Sequence, residues 1–154
     1  MEILIAAVGK SKRDAEAALV DHYLRQTRWK ITLHEITDAP ARLSREARQT
    51  LEAAKIEALV GASDRLITLD AGGEQMTSEA LANCITNAMA GRSKKLVFAI
   101  GGQDGLAPTL IKKATHRLAF GRVTWPHRLM RVMLAEQIFR AYTIHSGHPY
   151  HTGH

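Results

Sequence analysis

Hydrophobic and polar positions change their period along the chain, and these changes mark where strands and helices are expected. An apolar run at 96–100 is too continuous for a half-solvated strand and predicts one that is covered on both faces. A similar run occupies residues 2–8. Further runs predict strands at 30–36, 64–70 and 118–124. Five strands are therefore expected.

Apolar residues at helical spacing separate these runs. They predict helices at 14–28, 44–60, 77–90 and 126–144, and Pro108 suits the first turn of another. The last helix is expected to bury a row formed by Leu129, Val132, Met133 and Ala141. Strands that alternate with helices indicate an α/β domain with a mainly parallel sheet. Because no linker or repeat interrupts the 154 residues, we expect a single domain, 1–154.

Three of the predicted strands end at loops that contain glycine or precede proline. These loops are Ala71-Gly72-Gly73, Gly101-Gly102 with Asp104-Gly105, and Trp125-Pro126. Glycine leaves the backbone bare, so a ligand can approach it closely. In an open α/β sheet ligands bind at the carboxyl ends of the strands. The three loops therefore predict a pocket.

Charge is distributed unevenly along the chain. Residues 1–90 hold 11 Lys and Arg against 13 Asp and Glu, whereas residues 91–154 hold 10 against 2. A basic half that also carries the predicted pocket suggests a polyanionic partner, and nucleic acid is the commonest. A merely solvated basic face is the alternative. No apolar run approaches a membrane span, and we expect a cytoplasmic protein without a membrane partner.

The sequence lacks the motifs of dinucleotide binding, of nucleotide hydrolysis and of nucleophilic serine or cysteine catalysis. There is no G-x-G-x-x-G in the first strand-to-helix turn, no phosphate-binding P-loop and no nucleophile elbow. Histidines recur every third residue in the tail, at His145, His148, His151 and His154. Gly147 and Pro149 break the helix that would align them, so we expect no metal. The lone Cys84 is expected to be a small buried hydrophobic residue.

Taken together, several short motifs carry a family resemblance over the whole chain. They are Ala7-Val8-Gly9-Lys10, Ile67-Thr68-Leu69-Asp70, Ile100-Gly101-Gly102 with Gly105-Leu106, Trp125-Pro126-His127 with Met130-Arg131-Val132, Glu136-Gln137, Tyr142 and His148-Pro149-Tyr150-His151. With these motifs the chain resembles the RlmH family. That bacterial family belongs to the SPOUT class of S-adenosylmethionine-dependent methyltransferases and modifies ribosomal RNA of the large subunit.

The resemblance implies an α/β fold in which the C-terminal part forms a trefoil knot. Ordinary rules of chain connection would not predict such threading. It also implies S-adenosylmethionine as the cofactor, held in the knot by three loops. The cofactor-binding residues that it implies are Leu69, Gly101, Gly102, Phe120, Gly121, Arg122, Val123, Thr124 and Trp125.

The activity implied by the resemblance is methyl transfer to N3 of a pseudouridine in 23S rRNA of the assembled ribosome. A group must help to remove the imide proton, and His127, His148, Tyr150 and His151 are of the suitable kind. Tyr150 could instead stack on the flipped base. Arg122, Arg128, Arg131 and Arg140 are expected to grip phosphates or to stabilise the developing anion, unless they are only solvated. The catalytic set expected is His148, Tyr150, His151 and Arg131.

The resemblance further implies a homodimer in which the C-terminal region of the partner completes each site. Thr152-Gly153-His154 extends beyond the His-Pro-Tyr-His run that relatives share, which leaves the docking of this terminus open. Two other functions stay open as alternatives. One is a non-catalytic factor that binds the ribosome or RNA through its basic half, and the other is a SPOUT methyltransferase that acts on tRNA.

Overall fold

The computed structural model describes residues 1–153, which form alternating strands and helices. The strands are β1 (Glu2–Val8), β2 (Ile31–Ile36), β3 (Arg65–Glu74), β4 (Lys95–Ile100) and β5 (His116–Leu118). The helices are α1 (Ala15–Leu24), α2 (Arg45–Glu57), α3 (Ser78–Ala90), α4 (Pro108–Lys113) and α5 (His127–Ser146), and a short 3-10 helix follows at Pro149–Gly153. The predicted alternation is confirmed.

The strands form a parallel sheet in the order β2-β1-β4-β3-β5. β1 and β4 pair at the centre with Ile3 opposite Leu96 and Ile5 opposite Phe98. Their side chains are buried on both faces from residue 3 to 8 and from 96 to 100. The two continuous apolar runs therefore occupy the centre of the sheet, where helices cover both sides.

Helices pack on both faces of the sheet. On one face, α3 and α5 cover the odd-numbered positions of β1, including Ile3 and Ile5. On the other face, α2 and α4 cover its even-numbered positions, including Leu4 and Ala6. α1 packs beside α5. Two hydrophobic clusters thus share one sheet, which gives the single-domain α/β architecture that the sequence predicts.

Helix starts follow the capping residues in the sequence. Asp14, Ser44 and Thr77 each accept a hydrogen bond of 3.1 Å from the backbone N–H three residues on. This contact satisfies one of the unpaired N–H groups at a helix start. α5 ends at Gly147, whose φ of 70° lies in the left-handed region that glycine adopts freely.

Several predicted boundaries are wrong. β5 spans only His116–Leu118, and the segment 119–126, predicted largely as strand, is a loop that follows it. α1 ends at Leu24 and α2 at Glu57, earlier than expected, while β3 continues to Glu74. In the last helix Leu129 is 39% exposed, and Val132 and Met133 are half-buried. Ala141 is buried as predicted, but its neighbours in the core are Leu134 and Ile138.

The chain crosses the carboxyl edge of the sheet after β5. The loop 119–126 leaves the outer strand and lines a cavity together with the ends of β3 and β4. His127, which begins α5, then lies beside Gly9 at the end of β1. A trefoil knot requires in addition that this segment passes through a loop of the chain. That threading stays a prediction.

Candidate active site at the carboxyl ends of the strands

A cavity of about 700 Å³ opens at the carboxyl ends of β3 and β4. Leu69 and Ile100 lie opposite each other in the register of the two strands, and Leu118 of β5 is the partner of Leu69 on the other side. β4 and β5 therefore end level with Leu69, although β3 itself continues to Glu74. Their following loops surround a common space, as the glycine and proline positions predict.

Eight of the nine residues expected to bind a cofactor line this cavity. They are Leu69, Gly101, Gly102, Phe120, Gly121, Val123, Thr124 and Trp125. Arg122 is exposed and does not line it. Three further residues that were not expected to bind the cofactor also line the cavity, namely Asp70, Gln103 and Met130. Asp70 and Gln103 directly follow Leu69 and Gly102, which was a usable signal, whereas Met130 lies on α5 and had no such signal.

The loop after β4 is packed so closely that residue 101 must be glycine. A Cβ at Gly101 would lie 2.7 Å from the backbone carbon of Gly105 and 2.9 Å from the backbone nitrogen of Leu106. Gly105 has a φ of 74°, and its N–H donates to the carbonyl of Gly102 at 3.1 Å. The loop thus folds back on itself and presents backbone to the cavity.

Asp104 attaches the same loop to α2. Its carboxylate accepts hydrogen bonds from Arg48 Nε at 2.7 Å and from Arg48 Nη2 at 2.9 Å. The Arg48 guanidinium beside Asp104 lowers the pKa of that carboxyl. Arg48 also donates from Nη1 to the carbonyl of Leu43 at 2.6 Å. The Arg48 guanidinium therefore joins the loop after β4 to the segment 38–45 and holds that segment beside the cavity.

The loop 119–126 is closed by a side chain that belongs to it. Trp125 Nε1 donates a hydrogen bond to the carbonyl of Phe120 at 2.9 Å. Gly121 between them has a φ of 100°, which a residue with a Cβ rarely adopts. Val123 at the tip is 60% exposed. Apolar side chains in a solvent-exposed loop over a cavity are available to cover a ligand.

His127 forms part of the wall at the start of α5. The side chain is half-buried, and Nε2 would lie 3.5 Å from a Cβ placed on Gly9. Burial lowers the pKa of His127 below its usual value of 6.5, and the nearby charge of Arg131 lowers it further. The imidazole is therefore neutral at pH 7 and able to accept a proton.

Arg131, one turn further along α5, is buried, and both terminal nitrogens of its guanidinium are hydrogen-bonded, whereas Nε has no partner within residues 1–153. Nη2 donates to the carbonyls of Val8 at 3.0 Å and Gly9 at 2.6 Å, and Nη1 donates to Glu35 at 3.1 Å. Only 4% of the Arg131 surface is exposed. Arg131 does not line the cavity, and its contacts favour a role in holding α5 to β1 and β2.

The other residues of the expected catalytic set lie in the tail. His148, Tyr150 and His151 do not line the cavity formed by their own chain. Tyr150 instead packs its ring against Phe139 with centroids 4.7 Å apart and donates from its hydroxyl to Glu136 at 3.1 Å. A single chain therefore does not bring these three side chains to the cavity.

The arginines expected to grip phosphates occupy different surroundings. Arg128 is paired with Asp14, and Arg140 donates to Glu136 while its guanidinium lies 4.9 Å from the centre of the Tyr150 ring. Arg131 is buried, and Arg122 is exposed. Of the four, Arg122 is therefore the side chain most open to a polyanion.

Other groups add little chemistry to the site. Within residues 1–153, no three His, Cys, Asp or Glu side chains are grouped so as to hold a metal ion. His154, one of the four tail histidines, lies outside the described residues. Cys84 is half-buried against the core rather than fully buried as expected, and this partial burial raises the pKa of its thiol. No described helix combines the length and apolar character that a membrane crossing needs.

Comparison with known proteins identifies the fold and the family. A solved structure described as a probable methylase family protein from Haemophilus influenzae Rd KW20 matches with a TM-score of 0.57. The match covers 96% of this chain and 69% of the other at 13% sequence identity, so it shows the fold alone. The parallel sheet and its flanking helices therefore have the fold of that protein.

Sequence relatives extend the match to the whole chain. The family described as "Predicted SPOUT methyltransferase" matches residues 1–151. Proteins named ribosomal RNA large subunit methyltransferase H are 40% identical in Rhodospirillum centenum, covering 98% of this chain and 99% of the relative, and 40% identical in Nitrobacter hamburgensis, covering 99% and 100%. The protein of that name from Rhodopseudomonas palustris TIE-1 is 42% identical, covering 98% and 99%. The chain belongs to the SPOUT methyltransferase family, in the group that contains these proteins.

Proposed function

We propose that this protein transfers the methyl group of S-adenosylmethionine to a nucleotide of large-subunit ribosomal RNA. The observation that carries the proposal is the convergence of three strand-end loops on one cavity in a chain of a methyltransferase family. The names of the relatives supply the class of substrate. A ribosomal substrate makes the cytoplasm the place of action.

The cavity residues fit this cofactor. Its volume of about 700 Å³ lies in the usual range for small-molecule sites. Leu69, Ile100 and Leu106 provide apolar surface for the flat faces of an adenine ring, and the glycine loop leaves backbone N–H and C=O groups accessible. Among the residues on the wall, Asp70 is the carboxylate. It is paired with Arg117 at 2.7 Å, and its remaining lone pairs can accept hydrogen bonds from ribose hydroxyls.

When bound, S-adenosylmethionine supplies an electrophilic methyl group on a sulfonium, so the chain needs no activated nucleophile of its own. The protein has to hold the acceptor nitrogen in line with that methyl group and to take up its proton. His127 suits the second task, because its imidazole is neutral and faces the cavity. We propose N3 of a pseudouridine in 23S rRNA as the acceptor, on the family resemblance.

We further propose that the protein acts as a homodimer. Apolar side chains remain open on two helices that pack together, Leu19 of α1 at 44% exposure and Leu129 of α5 at 39%. Burying such surface against a second copy is favourable. The partner's tail would then bring His148, Tyr150 and His151 to a cavity that they do not reach within their own chain. This arrangement supports their proposed catalytic role.

Donor binding and methyl transfer test the proposal together. Calorimetry should detect binding of S-adenosylmethionine to the isolated protein. Radiolabelled donor should transfer its methyl group to ribosomes or free 23S rRNA and leave tRNA unlabelled. RNA binding that depends on salt but shows no response to the donor would instead favour a non-catalytic factor that uses the basic half. Labelled tRNA would indicate the other alternative.

A variant that fills the cavity with a large side chain, paired with a control elsewhere on the surface, tests whether the donor binds there. Ala71 is exposed and faces the cavity, so Ala71→Trp should block donor binding while leaving the core intact. Ala54→Trp places the same ring on the exposed side of α2, away from the cavity, and should bind the donor normally. Equal donor binding by the two variants would contradict the assignment of this cavity.

Mixed dimers test the contribution of the partner. One protomer carries Ala71→Trp and the other carries Tyr150→Ala, so that neither homodimer has a complete site. If each site uses the tail of the other chain, mixing should restore activity at one site per dimer. If the tail serves its own chain, one protomer lacks donor and the other lacks its tyrosine, and the mixture stays inactive.

A further inference from the structure

A second, smaller cavity lies beside the first one at the end of β1. Its volume is about 360 Å³, and it shares Gln103 and His127 with the wall of the larger cavity. The remaining lining is mostly polar and comes from the ends of β1 and β2, from α2 and from the loop after β4. It consists of Gly9, Lys10, Asp38, Ala39, Ala41, Arg48, Glu52 and Asp104. β1 and β4 are the strands from which the chain winds in opposite directions, where α/β sheets commonly bind ligands.

Glu52 gives this cavity a hydrogen-bonding atom that the protein leaves unused. The residue is only 5% exposed. Its Oε1 accepts a hydrogen bond from the backbone N–H of Ala39 at 3.0 Å, whereas its Oε2 is buried and has no partner within residues 1–153. A buried carboxylate oxygen without a donor is destabilising, so the position implies a function.

The arginine that lines the same cavity does not satisfy Glu52. Arg48 lies one turn earlier on α2 and lines the same cavity. Its Nε and Nη2 are bound to the carboxylate of Asp104, and its Nη1 is bound to the carbonyl of Leu43. Glu52 Oε2 therefore stays buried without a donor from Arg48, at a residue that lines the cavity. Because a carboxylate oxygen accepts hydrogen bonds, a ligand that pairs with it must present an N–H or O–H group.

The proposed acceptor base, pseudouridine, carries an N–H group that could bind Glu52 Oε2. Pseudouridine is joined to its ribose through C5, so its ring carries N1–H as well as N3–H, with the C2 carbonyl between them. Uridine is joined through N1 and has no N1–H. If N3 points toward the donor cavity, N1–H points along the adjoining wall. Lys10 is exposed beside this cavity, where it can meet a phosphate of the same nucleotide.

We propose that the smaller cavity receives the acceptor base and that Glu52 Oε2 accepts a hydrogen bond from its N1–H. This inference rests on the proposed function, and it makes Glu52 the residue that selects pseudouridine over uridine. A site built to bind an N–H group discriminates strongly against the analogue that lacks it, since its own polar atom is then left unpaired.

Two sets of ribosomes that differ only at the target nucleotide, pseudouridine or uridine, test the inference. Binding is measured in the presence of S-adenosylhomocysteine. The unmodified protein should bind the pseudouridine ribosomes about tenfold more tightly, the effect of one hydrogen bond to a charged group. Glu52→Gln keeps a carbonyl for the Ala39 N–H but places an NH₂ group at the position of Oε2. It should bind both sets equally.

One control separates the role of Glu52 from a general effect of charge. Glu46→Gln removes a charge from the exposed side of the same helix, outside the cavity. It should keep the preference for pseudouridine. A Glu52→Gln protein that keeps this preference, or a Glu46→Gln protein that loses it, would overturn the assignment.

The unmodified protein alone tests whether pseudouridine is preferred over uridine. Equal binding of the two sets of ribosomes by it overturns the inference, even if Glu52→Gln fails to fold. Failure of the proposed function has a different signature, namely no donor binding and no labelled ribosomal RNA. Donor binding and methyl transfer with an unchanged preference in Glu52→Gln would leave the proposed function standing and remove this inference alone.

Discussion

Arg131 on α5 and Glu35 on β2 meet at 3.1 Å, although 96 residues separate them in the chain. The same guanidinium donates to the carbonyls of Val8 and Gly9 at the end of β1. It thereby fixes the first turns of α5 against the carboxyl edge of the sheet. His127 lies one turn before Arg131, so the position of the proposed proton acceptor depends on this contact.

Arg131→Met should destabilise the fold. The substitution leaves the carbonyls of Val8 and Gly9 without this buried donor and removes one hydrogen bond from Glu35, which keeps those from Ser11. Leaving buried acceptors unpaired costs about 3 kcal/mol. Urea unfolding measures the loss. Arg25→Met is the control, because the Arg25–Asp21 pair is exposed and contributes less than about 1 kcal/mol. A stable Arg131→Met protein that binds the donor but transfers no methyl group would instead support the catalytic role expected from sequence.

The Glu35 contact should also make stability depend on pH. Partial burial opposes the charged form of Glu35, but hydrogen bonds from Ser11 and Arg131 outweigh it, and its pKa falls below the usual value of 4.5. The stabilisation is therefore complete above pH 4.5 and is lost as pH falls through the lower, folded-state pKa. The difference in unfolding free energy between the unmodified protein and Glu35→Gln should shrink over that range. A difference in unfolding free energy that stays constant from neutral to acid pH would contradict this role of Glu35.

Gly101→Ala should weaken donor binding by distorting the loop after β4. The new methyl group would overlap the backbone of Gly105 and Leu106, which cannot move aside as a flexible side chain can. We expect both a lower melting temperature and at least a tenfold loss of donor affinity, since the loop forms one wall of the cavity. Gly91→Ala is a suitable control, because its methyl group would meet nothing closer than 3.4 Å. Unchanged affinity in Gly101→Ala would mean that the loop does not touch the donor.

Trp125→Phe should weaken donor binding without lowering the stability of the fold. Phenylalanine keeps an aromatic ring but loses the 2.9 Å hydrogen bond to the carbonyl of Phe120. Because the loop is exposed, we expect little change in melting temperature and about a fivefold weaker affinity for the donor, the effect of one hydrogen bond. Calorimetry measures the affinity. Trp29→Phe, which alters a ring packed on Tyr142 away from the cavity, should leave donor binding unchanged.

His127 should set the acid side of the pH profile for methyl transfer. Burial keeps its pKa below 6.5, so the neutral imidazole is the major form at pH 7 and is lost only at more acidic pH. The rate of the unmodified protein should therefore fall below pH 6.5. His127→Gln should be slower at pH 7 and lack this fall. An unaltered profile in His127→Gln would assign proton removal to another group, such as the partner's Tyr150 or His151.

Much of the cavity could be predicted because its signals are local. The glycines at 101, 102 and 105 mark the end of β4, and the family resemblance identified the loop 120–125, although the last strand ends at Leu118 and not before Pro126 as expected. β5 was misplaced because only three residues pair with β3, and the apolar positions continue past Leu118 into the loop. The length of an edge strand depends on its neighbour, which the sequence pattern does not contain.

The sequence pattern also does not determine which side of a helix is buried. The periodicity correctly predicts that α5 has an apolar side, but it selected Leu129, Val132 and Met133 instead of Leu134 and Ile138 for the core. Both rows are apolar at helical spacing. Only the position of α5 against the sheet decides which row is covered within one chain, and the other row stays available to a partner.

The sequence by itself determined the alternation of strands and helices, the helix starts and the loops that carry the cavity, because apolar runs, capping residues and glycines act over a few neighbouring positions. Tertiary structure alone decided that Arg131 is held by Glu35, that the tail lies away from its own cavity and that Glu52 keeps an unpaired oxygen. Each of these depends on atoms brought together from distant parts of the chain, and their distances and burial exist only once the sheet has formed.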